Sequence, residues 1–168
     1  GTKEALFEAV IARRISALNT CRCEALNEVS ADAGPDAVAA ILSAFVRPYL
    51  NLAAGGDDGW TSYAKLIAQI SQSNRHLPLL QMHMDETAQL FITALHRALP
   101  RASRNDVVRA FLFTAALMVS VFSGVARIDG LTQGSIAGCD IEGAIKPMLS
   151  YSIAGFLEVC KPVHPSPP

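Results

Sequence analysis

From position 110 to position 126, between Arg109 and Arg127, the chain runs for 17 positions without a charged side chain. A stretch of that kind has to be hidden from water, in a bilayer or in a protein core. A membrane-spanning helix needs about 20 predominantly apolar residues, and this run is shorter and carries Thr114, Ser120, Ser123 and Gly124. The pattern therefore predicts a buried helix, apolar around most of its circumference, enclosed on more than one side and central to the assembly. No membrane association is expected.

The residues on either side of that run divide into helices by the same physical signs. Ser103, with Asp106 three positions on, opens it like a capping box in which Asp replaces the usual Glu. A first helix is predicted from the N-cap Thr2 to about Asn27, with apolar spacing at Leu6, Val10, Ile11 and Leu18. Pro35 suits the first turn of a second, carrying Val38, Ile41, Leu42 and Phe45, and Pro48 predicts a kink or an early end there. The loop Gly55-Gly56-Asp57-Asp58-Gly59 precedes a third helix from about Trp60 to Ser73, with Tyr63, Leu66, Ile67 and Ile70 at helical spacing. Leu77-Pro78 opens a fourth, whose stripe Leu80, Met84, Phe91 and Leu95 ends at Leu99-Pro100. After the uncharged helix, Gly130, Gly134 and Gly138 mark a loop, and Asp140 caps a last helix running to about Val159. Nothing alternates with a period of two, so the fold class is all-α, with about six helices.

One domain is expected over residues 1–160, followed by an extended Pro-rich tail at 161–168 that cannot propagate a helix. Apolar residues make up 51% and charged residues 17%, against about a quarter charged in an ordinary soluble domain. That surplus implies a partner surface or an internal cavity. The net charge of -1 argues against the chain holding nucleic acid by itself, since phosphate-tracking surfaces carry an excess of Lys and Arg. Cys21, Cys23, Cys139 and Cys160 form neither a CxxC pair nor a dense disulfide pattern, and the opening Gly1-Thr2-Lys3-Glu4 does not resemble a secretory leader, so a reducing cytoplasm is expected. Cys21 and Cys23 face nearly opposite directions on a helix, which favours packing or surface thiols over a redox pair.

Catalysis has little to work with. Asp85 and Glu86 beside His83 are the nearest approach to an acid/base group, but neighbouring helical positions point about 100° apart and do not converge on one atom. The histidines His76, His83, His96 and His164 lack the i, i+4 pairing of a helical zinc site. No enzymatic activity, metal or cofactor is expected.

Three segments in order carry a family resemblance. The opening Gly1-Thr2-Lys3-Glu4-Ala5-Leu6-Phe7-Glu8-Ala9-Val10 resembles the segment after the recognition helix in TetR/AcrR-family regulators, where a Lys-Glu-x-Leu-Phe helix follows a Tyr-x-x-Phe turn. Leu95-His96-Arg97-Ala98-Leu99-Pro100, followed by Arg109-Ala110-Phe111-Leu112-Phe113, is similar to the Leu-Pro and Arg-x-x-Phe pattern of one C-terminal-domain subgroup. Ala154-Gly155-Phe156 is similar to the Ala-Gly-Leu with which that subgroup's last helix ends. Pro147 inside the last helix and Cys21-Arg22-Cys23 in the first depart from the pattern.

The resemblance implies a TetR-like C-terminal helical bundle from a cytoplasmic bacterial transcriptional repressor, with the first helix linking to a helix-turn-helix unit ahead of Gly1 that this chain is expected to lack. It also implies a homodimer, in which the last two helices of each subunit form a four-helix bundle, and operator DNA contacted only through the missing unit. The expected dimer surface comprises Val107, Leu112, Met118, Val119 and Phe122 with the small residues Gly143, Ala144, Ala154 and Gly155. The expected partner is a small lipophilic or aromatic effector. Trp60, Tyr63, Ile67, Met84, Phe91 and Phe111 or Phe113 are the candidate walls of its site, with Tyr63, Gln81, His83 or Arg109 orienting a polar end. Arg109 is the candidate partner of a carboxylate or acyl-thioester head. The alternative is a helical dimeric interaction module without a ligand, packed solid.

Overall fold

The computed structural model describes residues 1–30, 33–55, 57–71, 74–121, 125–137 and 140–162. Among these there is no strand, and seven α-helices are joined by short connections. They are α1 (Lys3–Asn27), α2 (Pro35–Gly55), α3 (Asp58–Ile70), α4 (Leu77–Ala98), α5 (Arg104–Ser120), α6 (Val125–Leu131) and α7 (Ile141–Val159), with one 3-10 turn at Asn74–His76. The predicted dimer residue Phe122, the predicted loop positions Gly56 and Gly138, the predicted helix end Ser73 and the tail from 163 onward lie outside the described residues.

Four helix starts are capped by the chemistry their sequence announces, a short oxygen-bearing side chain accepting an otherwise orphaned N–H. Thr2 accepts from the Ala5 N–H at 3.2 Å, and Asp57 accepts from the Trp60 N–H at 3.0 Å. Ser103 accepts from the Asp106 N–H at 3.4 Å, and Asp140 accepts from the Gly143 N–H at 2.8 Å. Between α1 and α2, Gly34 takes a φ of 101°, which favours glycine because other residues would drive Cβ into the backbone. Its N–H donates to the Ala98 carbonyl at 2.9 Å, tying this loop to the end of α4.

The centre of the bundle is α2, which packs against α1, α3, α4, α5 and α7. This corrects the expectation that the uncharged stretch would be central. That stretch does not form one helix, since α5 ends at Ser120 and a short further helix, α6, not expected from the sequence, begins at Val125. One face of α5 is buried through Val107, Ala110, Phe111, Thr114 and Met118, while Leu112 and Phe113 are exposed. By length and composition α2 is apolar enough to cross a membrane, but 56% of its most apolar window is buried inside the bundle, as a core helix requires.

Pro48 does not end α2, which continues to Gly55. A proline inside a helix costs about 3 kcal/mol. Here the residues beyond it, Tyr49, Leu50 and Ala53, are all buried, and each large side chain fully buried contributes about 1.5–3 kcal/mol, enough to hold the helix through the defect. In α1 the buried stripe is Ile11, Ile15, Leu18 and Arg22. The expected Leu6 and Val10 are exposed instead, each one position off that stripe and so rotated about 100° from it. The third helix starts two residues earlier than expected and stops at Ile70.

Candidate functional site

Helices α1 to α5 surround a cavity of about 400 Å³. Tyr63 and Ile67 from α3, Met84 from α4 and Phe111 from α5 meet there, joined by Leu18 from α1, Phe45 and Tyr49 from α2, and Gln81 and Thr87 from α4. The stagger that brings them together is helical: Tyr63 and Ile67 are one turn apart on one face of α3, as are Leu80 and Met84 on α4.

The structure places the other candidate lining residues elsewhere. Trp60 sits on the α1–α3 seam, with the Arg14 guanidinium 4.7 Å from its ring centroid and Tyr63 edge-on at 5.5 Å. Arg14 also pairs with the Asp57 carboxylate at 3.3 Å, so this corner is a joint between helices rather than a wall. Phe91 shares the face of Met84 but lies two turns, about 10 Å, further along, fully buried in solid core with the Phe45 ring 5.2 Å away. Phe113 is about 200° around the helix from Phe111 and is exposed on the opposite side. His83 contributes its backbone, whose carbonyl accepts from Asn19 Nδ2 at 2.9 Å. Arg109 is exposed and pairs with Asp106 at 3.4 Å, so it is not the cation of the cavity.

That cation is Arg22. Its side chain lines the cavity and the residue is 4% exposed. Nε donates to the Phe45 carbonyl at 2.9 Å, Nη2 reaches the Met118 sulfur at 3.5 Å, and the guanidinium carbon lies 3.9 Å from the Phe45 ring centroid. Burial lowers its pKa to about 10, partly opposed by Tyr63, Tyr49 and Cys23. The group therefore stays charged near neutral pH. The phenols of Tyr49 and Tyr63 are pushed well above their ordinary value, first by burial. Tyr49 donates to the Ala64 carbonyl at 3.4 Å, whereas the buried Tyr63 hydroxyl has no hydrogen-bond partner among the described residues. Sequence reasoning passed over Arg22, although a signal existed: it continues the Ile11, Ile15, Leu18 stripe at the right spacing, and a charged residue in register with a core stripe is a buried charge.

On the far side of α5, an apolar groove runs between α5 and α7, lined by Phe113, Leu117, Tyr151, Ala154, Gly155 and Val159. Of the expected dimer surface, Ala154 and Gly155 face this groove and are exposed. Val107 and Met118 are buried in the chain's own core, Met118 and Val119 line the cavity, and Leu112, though exposed, borders it too. The apolar residues of α5, expected on a dimer surface and a ligand site, divide among core, cavity and groove. Ala144 is half-buried near the start of α7. Gly143 serves the cap, because a Cβ there would collide with the Asp140 carboxylate.

Among the described residues no three His, Cys, Asp or Glu side chains cluster as metal ligands would. Cys21 is exposed, Cys23 half-buried and Cys160 buried, all three free. No individual curated protein matches the chain. A family profile described as tetracyclin repressor-like, C-terminal domain, matches residues 43–155, which takes in α2 from its middle onward, the α2 to α5 walls of the cavity and most of the α5–α7 groove, while α1 with Leu18 and Arg22 lies outside the match. With an all-helical bundle, a cavity among its first five helices and an apolar α5–α7 face, the chain belongs to the tetracyclin repressor-like C-terminal domain family, whose members are regulator-type domains for ligand binding and dimerisation.

Proposed function

We propose that this chain is the effector-sensing core of a transcriptional regulator, its cavity taking a small, mainly lipophilic or aromatic molecule. The observation that carries this reading is the cavity itself, about 400 Å³ and within the range of small-molecule sites, in a bundle that would otherwise be packed to native density. The wall is chiefly aliphatic and aromatic, with Tyr63, Ile67, Met84 and Phe111 contributing. Coupling to operator DNA runs through α1, joined ahead of Gly1 to a helix-turn-helix unit. In support, α1 lends Leu18 and Arg22 to the cavity wall, so occupancy loads the same rigid element that would position the DNA-reading head. The regulator acts as a cytoplasmic homodimer, with the exposed α5–α7 face as its contact.

Thermal-shift measurement against lipophilic and aromatic compounds tests the sensor reading. A ligand at a hundred times its Kd adds about 2.7 kcal/mol of stability, roughly 5–11 °C for a chain of this size. If every such compound leaves the melting temperature unchanged, the cavity is a packing defect and the interaction-module reading replaces this one.

A further inference from the structure

Burying a charge without an opposite charge beside it is among the costliest arrangements in a protein. Arg22 is such a charge. Its protein contacts are a backbone carbonyl, a sulfur and an aromatic face, all neutral. No carboxylate among the described residues forms an ion pair with it, and none figures among the charges acting on it. The one acidic side chain on the cavity wall, Asp85, is solvent-exposed on α4. Beside Arg22 stands the Tyr63 hydroxyl, buried and without a hydrogen-bond partner among the described residues, near enough to act electrostatically on it.

One fixed cation and one hydroxyl without a partner among the described residues, in a chamber whose wall is chiefly aliphatic and aromatic, form half of a recognition site for an anionic head. We propose that the effector is a small organic carboxylate with an apolar body, its head paired with the Arg22 guanidinium and accepting a hydrogen bond from Tyr63, its body lying against Ile67, Met84 and Phe111. A monoanion fits better than a phosphate ester, because a single guanidinium neutralises one negative charge and its planar fork matches a carboxylate. The proposal rests on the sensor reading above and deepens it, moving the head-binding role from Arg109 to Arg22.

The test compares probes that share a body and differ in the head: octanoate, octanol and octylamine, with phenylpropanoate and phenylpropanol as an aromatic pair. Binding to the purified chain is followed by calorimetry and thermal shift. The carboxylates are expected to bind at least tenfold more tightly than the alcohols, the amine least. Arg22→Met, similar in length and without the charge, is expected to weaken octanoate at least tenfold and leave octanol within a factor of about three, since a hydrogen bond to a charged group is what is lost. Should Arg22→Met not fold, Tyr63→Phe serves instead, with octanoate weakened several-fold and octanol unchanged. Alcohols binding as tightly as carboxylates, or octanoate binding undiminished to Arg22→Met, or to Tyr63→Phe where that variant stands in, would overturn the carboxylate assignment while leaving a lipophile sensor standing. Failure of every probe to bind would overturn both.

Discussion

Tyr49 and Tyr63 form a natural pair for asking whether the polar end of the cavity waits for a ligand. Both are nearly fully buried, and a Tyr→Phe change removes one hydroxyl from each while keeping the ring. The Tyr49 hydroxyl donates to the Ala64 carbonyl, so Tyr49→Phe deletes a hydrogen bond whose net worth is about 0.5–1.5 kcal/mol. The Tyr63 hydroxyl has no partner among the described residues, and its burial has only the desolvation cost. Tyr63→Phe is therefore expected to range from neutral to a gain of about 1 kcal/mol. At roughly 2–4 °C per kcal/mol for a chain of this size, Tyr49→Phe loses about 1–6 °C and Tyr63→Phe gains up to about 4 °C. Urea midpoints with unchanged slope would establish that stability, and not the unfolded state, has moved. The same Tyr63→Phe chain should bind octanoate less well, a more stable protein with a poorer site. A loss of more than about 1 kcal/mol on Tyr63→Phe would show that the hydroxyl is already satisfied and would refute the reasoning.

Three further outcomes follow from the geometry. Gly155→Arg, where a side chain would meet open space within the chain, is expected to leave the helical content unchanged but convert the proposed dimer to monomer in light scattering; a dimer that persists would exclude the α5–α7 face as the contact. The Cys160 thiol, buried and raised to about 11 with burial the main cause, should resist alkylation in the folded protein while the exposed Cys21 reacts readily, as peptide mapping would report; equal labelling would contradict the burial. Above pH 10 the protein should lose stability: the phenols of Tyr49 and Tyr63 hold their protons in the folded chain past the value of 10 at which they lose them unfolded, so their contribution is whole below pH 10 and falls as pH rises. Arg22 works the other way between about 10 and 12.5, one group against two, and a urea midpoint rising through this range would run counter to the prediction.

Helix ends were legible because capping is a local matter. Thr2, Ser103 and Asp140 each bind an N–H three residues on, as expected, while Asp57, expected within a loop, caps α3 in the same way; the all-α class with its family followed from periodicity and a few short motifs. Part of the expected cavity wall was legible too, since Tyr63, Ile67, Gln81, Met84 and Phe111 line it on faces their own spacing defines. What periodicity cannot say is which neighbour a face meets, or how far along the helix it does so. Phe91 and Met84 share a stripe, yet one is sealed in core and the other borders a void, because the helices of the bundle close around one and stand apart at the other. The apolar residues of α5 divide among core, cavity and groove for the same reason. Arg22 shows the limit most clearly: its register announced burial, but only the packing of α1 against Phe45 and Met118 decided that a charge would sit beside a cavity with no acid to meet it. Local sequence determines what each backbone segment can do within a turn or two of itself. The meeting of segments distant in the chain, Arg22 with Tyr63 and Phe111, is decided by the fold, because the charges and contacts that make a site act through space and not along the chain.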